Sequence, residues 1–202
     1  MDATKVMLSA EEAALIMNAD IILTKNRILE KVKSLLKLIQ DDQENYLSDN
    51  TALPELVRSI SPKISKGENY NGLPYLVLDQ PRLFLKEDMY AIRTMFWWGN
   101  YFSTTLLLAG KYKSQLQQRI INNYDTLKQD GYYICINADP WQHHFESGNF
   151  EKIASLGKME WESTIRSHPF LKLSKQVPLT QWENVRENVL QIFRQYLAIA
   201  GD

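Results

Sequence analysis

A chain of 202 residues has the length of one domain, or of one domain with a helical extension. Its 23 basic and 24 acidic residues nearly cancel, which argues against a dedicated nucleic-acid-binding protein, since such proteins usually carry a basic surplus. The single cysteine, Cys135, excludes an intramolecular disulfide, and no apolar run approaches the roughly 20 residues of a membrane helix. The first residues lack the pattern of a secretory signal, so we expect a cytoplasmic protein with no membrane span.

The N-terminal part of the chain is predicted to be helical. The motif Ser9-Ala-Glu-Glu12 has the residues of a capping box, which opens a helix. From Ala19 to Tyr46 apolar side chains recur at helical spacing, which predicts one long helix with an apolar stripe. The stripe consists of Ile21, Ile22, Ile28, Leu29, Val32, Leu35, Leu36, Ile39 and Leu47. Ser48-Asp-Asn50 is predicted to end this helix, and a short helix is predicted to begin at Pro54.

Strand-like sequence follows, after a predicted loop at residues 61–72. Apolar segments at 75–78 and 82–85 predict two strands. Pro81 lies between them and must occupy a turn or a bulge, because it has no amide hydrogen for a strand ladder.

Residues 91–110 predict an apolar hairpin at the centre of a covered sheet. Its turn is predicted to be the dipeptide Gly99-Asn100, a two-residue connection that matches strand twist. Counting outward from this turn places Trp97 opposite Phe102 and Arg93 opposite Leu106.

The rest of the chain predicts two helices and two strands. Capping-box patterns at Ser114-Gln-Leu-Gln117 and Thr180-Gln-Trp-Glu183 predict the two helix starts. Residues 132–137 predict a strand, residues 139–157 an irregular segment, and residues 170–177 an edge strand with weak alternation. The expected fold is therefore α+β, an antiparallel β-meander covered by helices with a helical N-terminal region. We expect a single domain over 1–202, with 1–60 as its helical part and 61–202 as the sheet plus two helices.

Titratable side chains are most concentrated in the loop Asp139-Pro-Trp-Gln-His-His-Phe-Glu146. His143 and Glu146 have the spacing that places two side chains on one side of a helical turn, where they could bind a divalent metal or act as acid and base. His144 and, from a later segment, His168 are the other candidate catalytic residues. No metal-ligand motif accompanies them, so surface loop residues are the simpler interpretation.

Arg93 is the second candidate, because it stands among apolar residues in a predicted strand. A guanidinium in such a position needs a partner. One interpretation is an internal ion pair with Asp79, Glu87 or Asp88. The other is an anion-binding arginine in a pocket for a small acid, walled by aromatic residues. The candidate ligand-binding residues are Arg93, Trp97, Trp98, Tyr101 and Trp141.

Several kinds of chemistry find no motif in this sequence. Cys135 lies in an apolar strand with no adjacent base, so we expect a buried thiol and not a nucleophile. The chain has no nucleophile elbow, no dinucleotide fingerprint and no phosphate-binding loop. We expect no cofactor and no bound metal.

The segments at 72–82 (GLPYLVLDQPR) and 93–106 (RTMFWWGNYFSTTL) resemble uncharacterised proteins of the Bacteroidetes of about this length. The resemblance covers most of the chain and implies a bacterial protein, but it carries over no activity, cofactor or site residue.

A non-enzymatic binding or interaction protein is the first hypothesis for function, with a homodimer through the long N-terminal helix, because a long apolar stripe needs a large surface to cover it. A hydrolase or metal-dependent enzyme that uses Asp139, His143, His144, Glu146 and His168 is the first alternative. A small-acid pocket at Arg93 is the second.

Overall fold

A computed structural model describes residues 6–48 and 53–200, which form an α+β fold with a seven-stranded antiparallel sheet. The helices are α1 (Ala10–Ile16), α2 (Ala19–Ser48), α3 (Glu55–Arg58), α4 (Gly110–Asn122), α5 (Tyr124–Gln129), α6 (Lys158–Ser167) and α7 (Val185–Ala200). The strands are β1 (Lys63–Tyr70), β2 (Leu73–Phe84), β3 (Met89–Trp97), β4 (Tyr101–Ala109), β5 (Tyr133–Cys135), β6 (Phe150–Lys152) and β7 (Phe170–Pro178). Two 3₁₀ helices cover Ile153–Ser155 and Leu179–Asn184.

The sheet has the strand order β1-β2-β3-β4-β7-β5-β6, so β4 is its central strand. The first four strands form the predicted meander. The chain then leaves the sheet through α4 and α5, forms β5 and β6 at the far edge, and returns to place β7 against β4. The predicted apolar hairpin, β3 and β4, is therefore at the centre of the sheet as expected.

One face of the sheet carries the main hydrophobic core. The long helix α2 and the last helix α7 pack there, and both contribute side chains at helical spacing. The buried residues of these helices include Leu29, Val32, Leu36 and Ile39 from α2 and Val185, Val189, Ile192, Phe193 and Tyr196 from α7. The four side chains of α2 belong to the apolar stripe that the sequence predicts, and those of α7 recur at the same helical spacing.

The other face of the sheet is covered by the segment at residues 136–149, which we call the covering loop. Two smaller clusters of buried apolar residues lie on this side. The first includes Leu107, Cys135, Phe150 and Phe170, and the second Val77, Met95 and Trp97. Since residues alternate along a strand, every second side chain of β3 points toward this loop.

The register of the central hairpin differs from the prediction by one residue. Trp97 pairs with Tyr101, and Arg93 with Thr105 and not with Leu106. The connection has three residues, 98–100, and Asn100 N donates to Trp97 O at 3.0 Å. A shift of register by one residue moves every side chain of a strand to the opposite face of the sheet. In the observed register Leu106 faces the main core, whereas the predicted register places it on the face of Arg93.

Other strand predictions were wrong for related reasons. The expected loop at 61–72 contains the edge strand β1, whose mixed polar pattern reflects its exposure. The two expected strands around Pro81 are one strand, β2, with a shift of register between Asp79 and Arg82, so the bulge alternative is the correct one. The expected edge strand at 170–177 is β7, which lies inside the sheet between β4 and β5.

Only the first of the three predicted capping boxes exists. Ser9 accepts from Glu12 N, and Glu12 accepts from Ser9 N. Helix α4 begins earlier than predicted, at Gly110, and Ser114 lies within it with its hydroxyl on Gly110 O. Thr180 lies in a 3₁₀ helix that precedes α7. The predicted helix end at Asp49 and Asn50 lies outside the described residues.

Candidate functional site

Arg93 lies on the covered face of the sheet and forms an ion pair with Asp79 of the neighbouring strand. The two residues are paired across β2 and β3. Arg93 Nε donates to Asp79 Oδ1 at 2.7 Å and Nη2 donates to Oδ2 at 2.9 Å. Asp79 is buried and Arg93 is half-buried, so this two-point contact satisfies most of the charge of both groups. The ion-pair interpretation, with Asp79 as the partner, is confirmed.

His143 reaches the same arginine from the covering loop. Arg93 Nη1 donates to His143 Nε2 at 3.0 Å, and a guanidinium can only donate, so Nε2 is the acceptor of a neutral imidazole. Burial, and then the charges of Lys172 and Arg93, hold the pKa of His143 well below its usual value. The loop backbone is fixed here as well, because Tyr70 Oη accepts from His143 N at 2.6 Å and from His144 N at 3.0 Å.

Lys172 completes this group and was not predicted from the sequence. Lys172 stands between two leucines in β7. Because successive side chains of a strand point to opposite faces, the sequence predicts that this lysine faces solvent if β7 is an edge strand. Because β7 is an interior strand under the covering loop, Lys172 is only 1% exposed. Its ammonium donates to Pro140 O at 2.9 Å and to Gln142 O. Burial lowers the pKa of Lys172 to about 8.

Arg93, His143 and Lys172 meet at a small hollow between the sheet and the covering loop. The hollow has a free volume of about 10 Å³, roughly that of one water molecule. Its polar lining also includes Thr105, whose hydroxyl lies 2.7 Å from that of Ser174. Its apolar lining is formed by Phe84, Ala91, Leu107, Pro140 and Trp141. The structure therefore gathers a guanidinium, an imidazole and an ammonium group around a small space.

The other catalytic candidates do not converge on this hollow. His144 Nδ1 lies 3.9 Å from Glu146 Oε2, a carboxylate that is largely exposed, and has no hydrogen bond. His168 has Nδ1 at 3.1 Å from Thr164 O and Nε2 at 3.1 Å from Ile136 O. Both of its ring nitrogens therefore face backbone carbonyls and not a carboxylate of the loop.

Asp139 and the thiol of Cys135 have partners in their own part of the chain. The Asp139 carboxylate accepts from Trp141 N at 2.8 Å and from Gln142 Nε2 at 3.0 Å, so it shapes the loop. Burial raises the pKa of Cys135, whose thiol lies 3.7 Å from Asn149 Oδ1. Within residues 6–48 and 53–200, no three His, Cys, Asp or Glu side chains are grouped to hold a metal ion.

The expected aromatic wall is divided between the two faces of the sheet. Trp141 lines the hollow, 45% exposed, with its ring 5.7 Å from Phe84. Trp97 and Tyr101 are on the same face but pack against each other in the neighbouring cluster. Trp98 packs on the main core, against Phe96. Arg93 and Trp141 are the two predicted ligand-binding residues that line the hollow.

A second candidate surface lies at residues 6–23, which we call the N-terminal arm. Helix α1 has no buried residue, and the first buried residue of α2 is Leu29. Nine of the fourteen large apolar side chains exposed in the described part of the chain belong to the arm. They are Val6, Met7, Leu8, Leu15, Ile16, Met17, Ile21, Ile22 and Leu23. Scattered exposed apolar residues are common, but this concentration in one segment makes the arm a candidate interaction surface.

Comparisons of the chain with protein-family models, with curated proteins and with solved structures found no match. The resemblance to proteins of the Bacteroidetes therefore stays a prediction. Among the helices of the described residues, none combines the length and the apolar character needed to cross a membrane.

Proposed function

We propose that this protein is a non-enzymatic interaction module and that its N-terminal arm binds a second copy of the chain. The observation that carries the proposal is the run of nine exposed apolar side chains in residues 6–23. Burial of such side chains contributes about 1.5 to 3 kcal/mol for each one that becomes fully covered. A partner that covers the arm would therefore gain considerable free energy.

The charges around the arm favour a second copy as the partner. Residues 6–20 contain Glu11, Glu12 and Asp20 and no basic residue. Residues 21–37 contain one acidic residue, Glu30, and five basic ones, Lys25, Arg27, Lys31, Lys33 and Lys37. In a two-fold dimer the same surface serves both copies. An antiparallel pair of arms would then place the acidic start of each arm beside the basic segment of the other.

Some of these basic residues already have partners within the chain. Lys25 pairs with Glu68, and Lys37 with Asp41. Arg27, Lys31 and Lys33 are exposed and have no carboxylate partner among the described residues. These three side chains are the ones we expect to meet the acidic residues of a second arm.

The enzyme alternative has less support from the geometry. His143 is engaged by Arg93, and His168 by backbone carbonyls, so two of the candidate acid–base residues are occupied by structural contacts. Cytoplasmic location and bacterial origin belong to this proposal as expectations that rest on the sequence alone.

Light scattering coupled to size-exclusion chromatography tests the proposal. We expect the wild-type protein to have twice the 23.5 kDa mass of the chain. Ile16→Asp and Ile22→Asp place a charge at arm positions that are 74% and 57% exposed and should give the monomer. Met159→Asp is the matched control, because Met159 is an apolar side chain of α6 that is 89% exposed, and this variant should remain a dimer.

A wild-type protein that stays monomeric across the concentrations of the experiment would contradict a second copy as the partner. Binding of that monomer to anionic lipid vesicles would assign the arm to a membrane surface instead.

A further inference from the structure

We propose that the hollow beneath the covering loop binds a small monocarboxylate, with its carboxylate on Lys172 and its apolar body between Phe84 and Trp141. This inference goes beyond the proposed assembly and rests on different residues. It follows from the charges at the hollow, from the groups around it and from the way the loop is held.

Lys172 carries the positive charge that the hollow offers to a ligand. Its ammonium is buried, and its hydrogen bonds go to the carbonyls of Pro140 and Gln142. No carboxylate oxygen in the described part of the chain lies within 4.0 Å of Lys172 Nζ, the distance that defines an ion pair. A buried ammonium gains more from an anion than from neutral carbonyl groups. Since Asp79 already neutralises Arg93, one positive charge is left, and it matches a monoanion.

Asp139 is a competing carboxylate, since its charge raises the pKa of Lys172. Its oxygens are already bound to Trp141 N and to the amide of Gln142. Asp139 therefore shapes the loop over Lys172 and does not take the place of the ligand.

Other groups at the hollow suit the rest of such a ligand. Arg93, whose Nη1 donates to His143 Nε2, lines the hollow, and so does Thr105. The second hydrogen of Arg93 Nη1 can be donated to the other carboxylate oxygen, whereas Thr105 donates its hydroxyl hydrogen to Ser174 Oγ, because Ser174 donates its own to Thr104 O. Phe84, Leu107 and Trp141 supply the apolar contacts for a short aliphatic or aromatic body.

Entry of the ligand requires the loop to move, because the free volume is about 10 Å³. Residues 139–142 form a turn that is held by its own contacts, with Asp139 N donating to Asn137 Oδ1 at 2.8 Å. The turn is tied to the sheet by the two bonds from Lys172 and by the ring of Trp141 on Phe84. A carboxylate that replaces the two carbonyls on Lys172 would release this turn, while the loop stays anchored at Tyr70.

Titration of wild-type protein with benzoate, followed by calorimetry and by ¹⁵N–¹H NMR, tests the proposal. We expect a dissociation constant of about 1 mM or tighter, with the largest shifts at the amides of Trp141 and Gln142. Benzamide has the same shape without the charge and should not bind. No binding of benzoate, equal binding of benzamide, or shifts confined to another surface would overturn the proposal.

Variants then locate the charge. Lys172→Met keeps the stem of the side chain and should weaken benzoate binding at least about tenfold. Lys175→Met is the matched control, because Lys175 lies on the opposite face of β7 over Tyr132, and it should bind benzoate like the wild type. Unchanged binding by Lys172→Met, or a preference for inorganic phosphate over benzoate, would contradict a monocarboxylate site. If Lys172→Met does not fold, the comparison of benzoate with benzamide in the wild type decides.

Discussion

Lys172 and Arg93 are both cations on the covered face of the sheet, but their environments differ. Arg93 has a two-point contact with Asp79, so its burial is compensated by an opposite charge. Lys172 has backbone carbonyls as its hydrogen-bond partners. Its charged form is therefore less stabilised in the folded protein than in the unfolded chain, and burial lowers the pKa of Lys172 to about 8 from the ordinary 10.5.

This shift predicts how stability depends on pH. Below about pH 8, Lys172 is protonated in both the folded and the unfolded chain. Between the pKa of about 8 in the folded protein and the ordinary pKa of 10.5, Lys172 keeps its proton in the unfolded chain and has lost it in the folded protein. Unfolding then takes up a proton, so stability rises with pH in that window. We expect the free energy of unfolding of the wild type, relative to Lys172→Met, to rise by about 2 kcal/mol from about pH 7 to about pH 10.

Urea denaturation of both proteins across this range measures the difference. Taking the difference removes the contribution of the buried tyrosines, such as Tyr132, whose pKa is raised by burial and which act in both proteins. The groups that face Lys172 are Arg93 from β3, Cys135 from β5, and Asp139 and His143 from the covering loop. A difference that does not change with pH would show that the ammonium is solvated in the folded protein.

Among the elements, the junction of β4 and α4 depends on a glycine. Gly110 has φ of 57°, and a Cβ there would meet Asp88 Oδ1 and would lie 2.6 Å from Glu87 O. The same Asp88 oxygen accepts from Lys111 N at 2.9 Å at the start of the helix. Both a strained backbone and a displaced carboxylate would follow from a methyl group at this position.

We expect Gly110→Ala to lower the free energy of unfolding by at least about 2 kcal/mol. Gly131→Ala separates the two causes, because Gly131 has φ of 74° but open space around the position of a Cβ. That variant should lose about 1 kcal/mol, the cost of the left-handed backbone alone. Urea denaturation measures both values. Equal losses in the two variants would mean that the contact with Asp88 has no energetic effect.

Elements with a strong repeating pattern were predictable from the sequence, and those set by distant contacts were not. The stripes of α2 and α7 identify their buried faces because many residues agree on one period. The hairpin was found for the same reason, but its register depends on the length of the connection at Trp98, which the dipeptide Gly99-Asn100 does not determine. The burial of Lys172 depends on whether β7 is an edge strand, and the position of β7 is set by pairing across the whole sheet.

The candidate site shows the same division. Arg93 could be identified because a charge in an apolar strand is conspicuous, and Asp79 was among its expected partners. The sequence identifies His143 as a loop histidine, but the contact of His143 with Arg93 brings together residues fifty positions apart. No local pattern in the sequence carries that information.

At the scale of the whole molecule, the described residues form a well-covered sheet and an arm that none of them covers. Helices cover one face of the sheet and enclose the main core, and the covering loop covers the other face of the sheet. The side chains of the arm take no part in either core, since residues 6–24 are without a buried side chain. In the proposed dimer, folding of the sheet and covering of the arm are separate events, and the second depends on the concentration of the protein.

A dimer of this kind links thermal stability to protein concentration. Association stabilises the folded state by mass action, so the melting temperature of the wild type should rise as the protein is concentrated. Ile16→Asp should have a melting temperature that does not depend on concentration and that matches the dilute wild type, because Ile16 is 74% exposed and supports neither core. Scanning calorimetry measures the melting temperature of both proteins over a hundredfold range of concentration. Over this range mass action changes the stability of a dimer by about 2.7 kcal/mol. A melting temperature of Ile16→Asp well below that of dilute wild type would place the arm in the fold of the single chain.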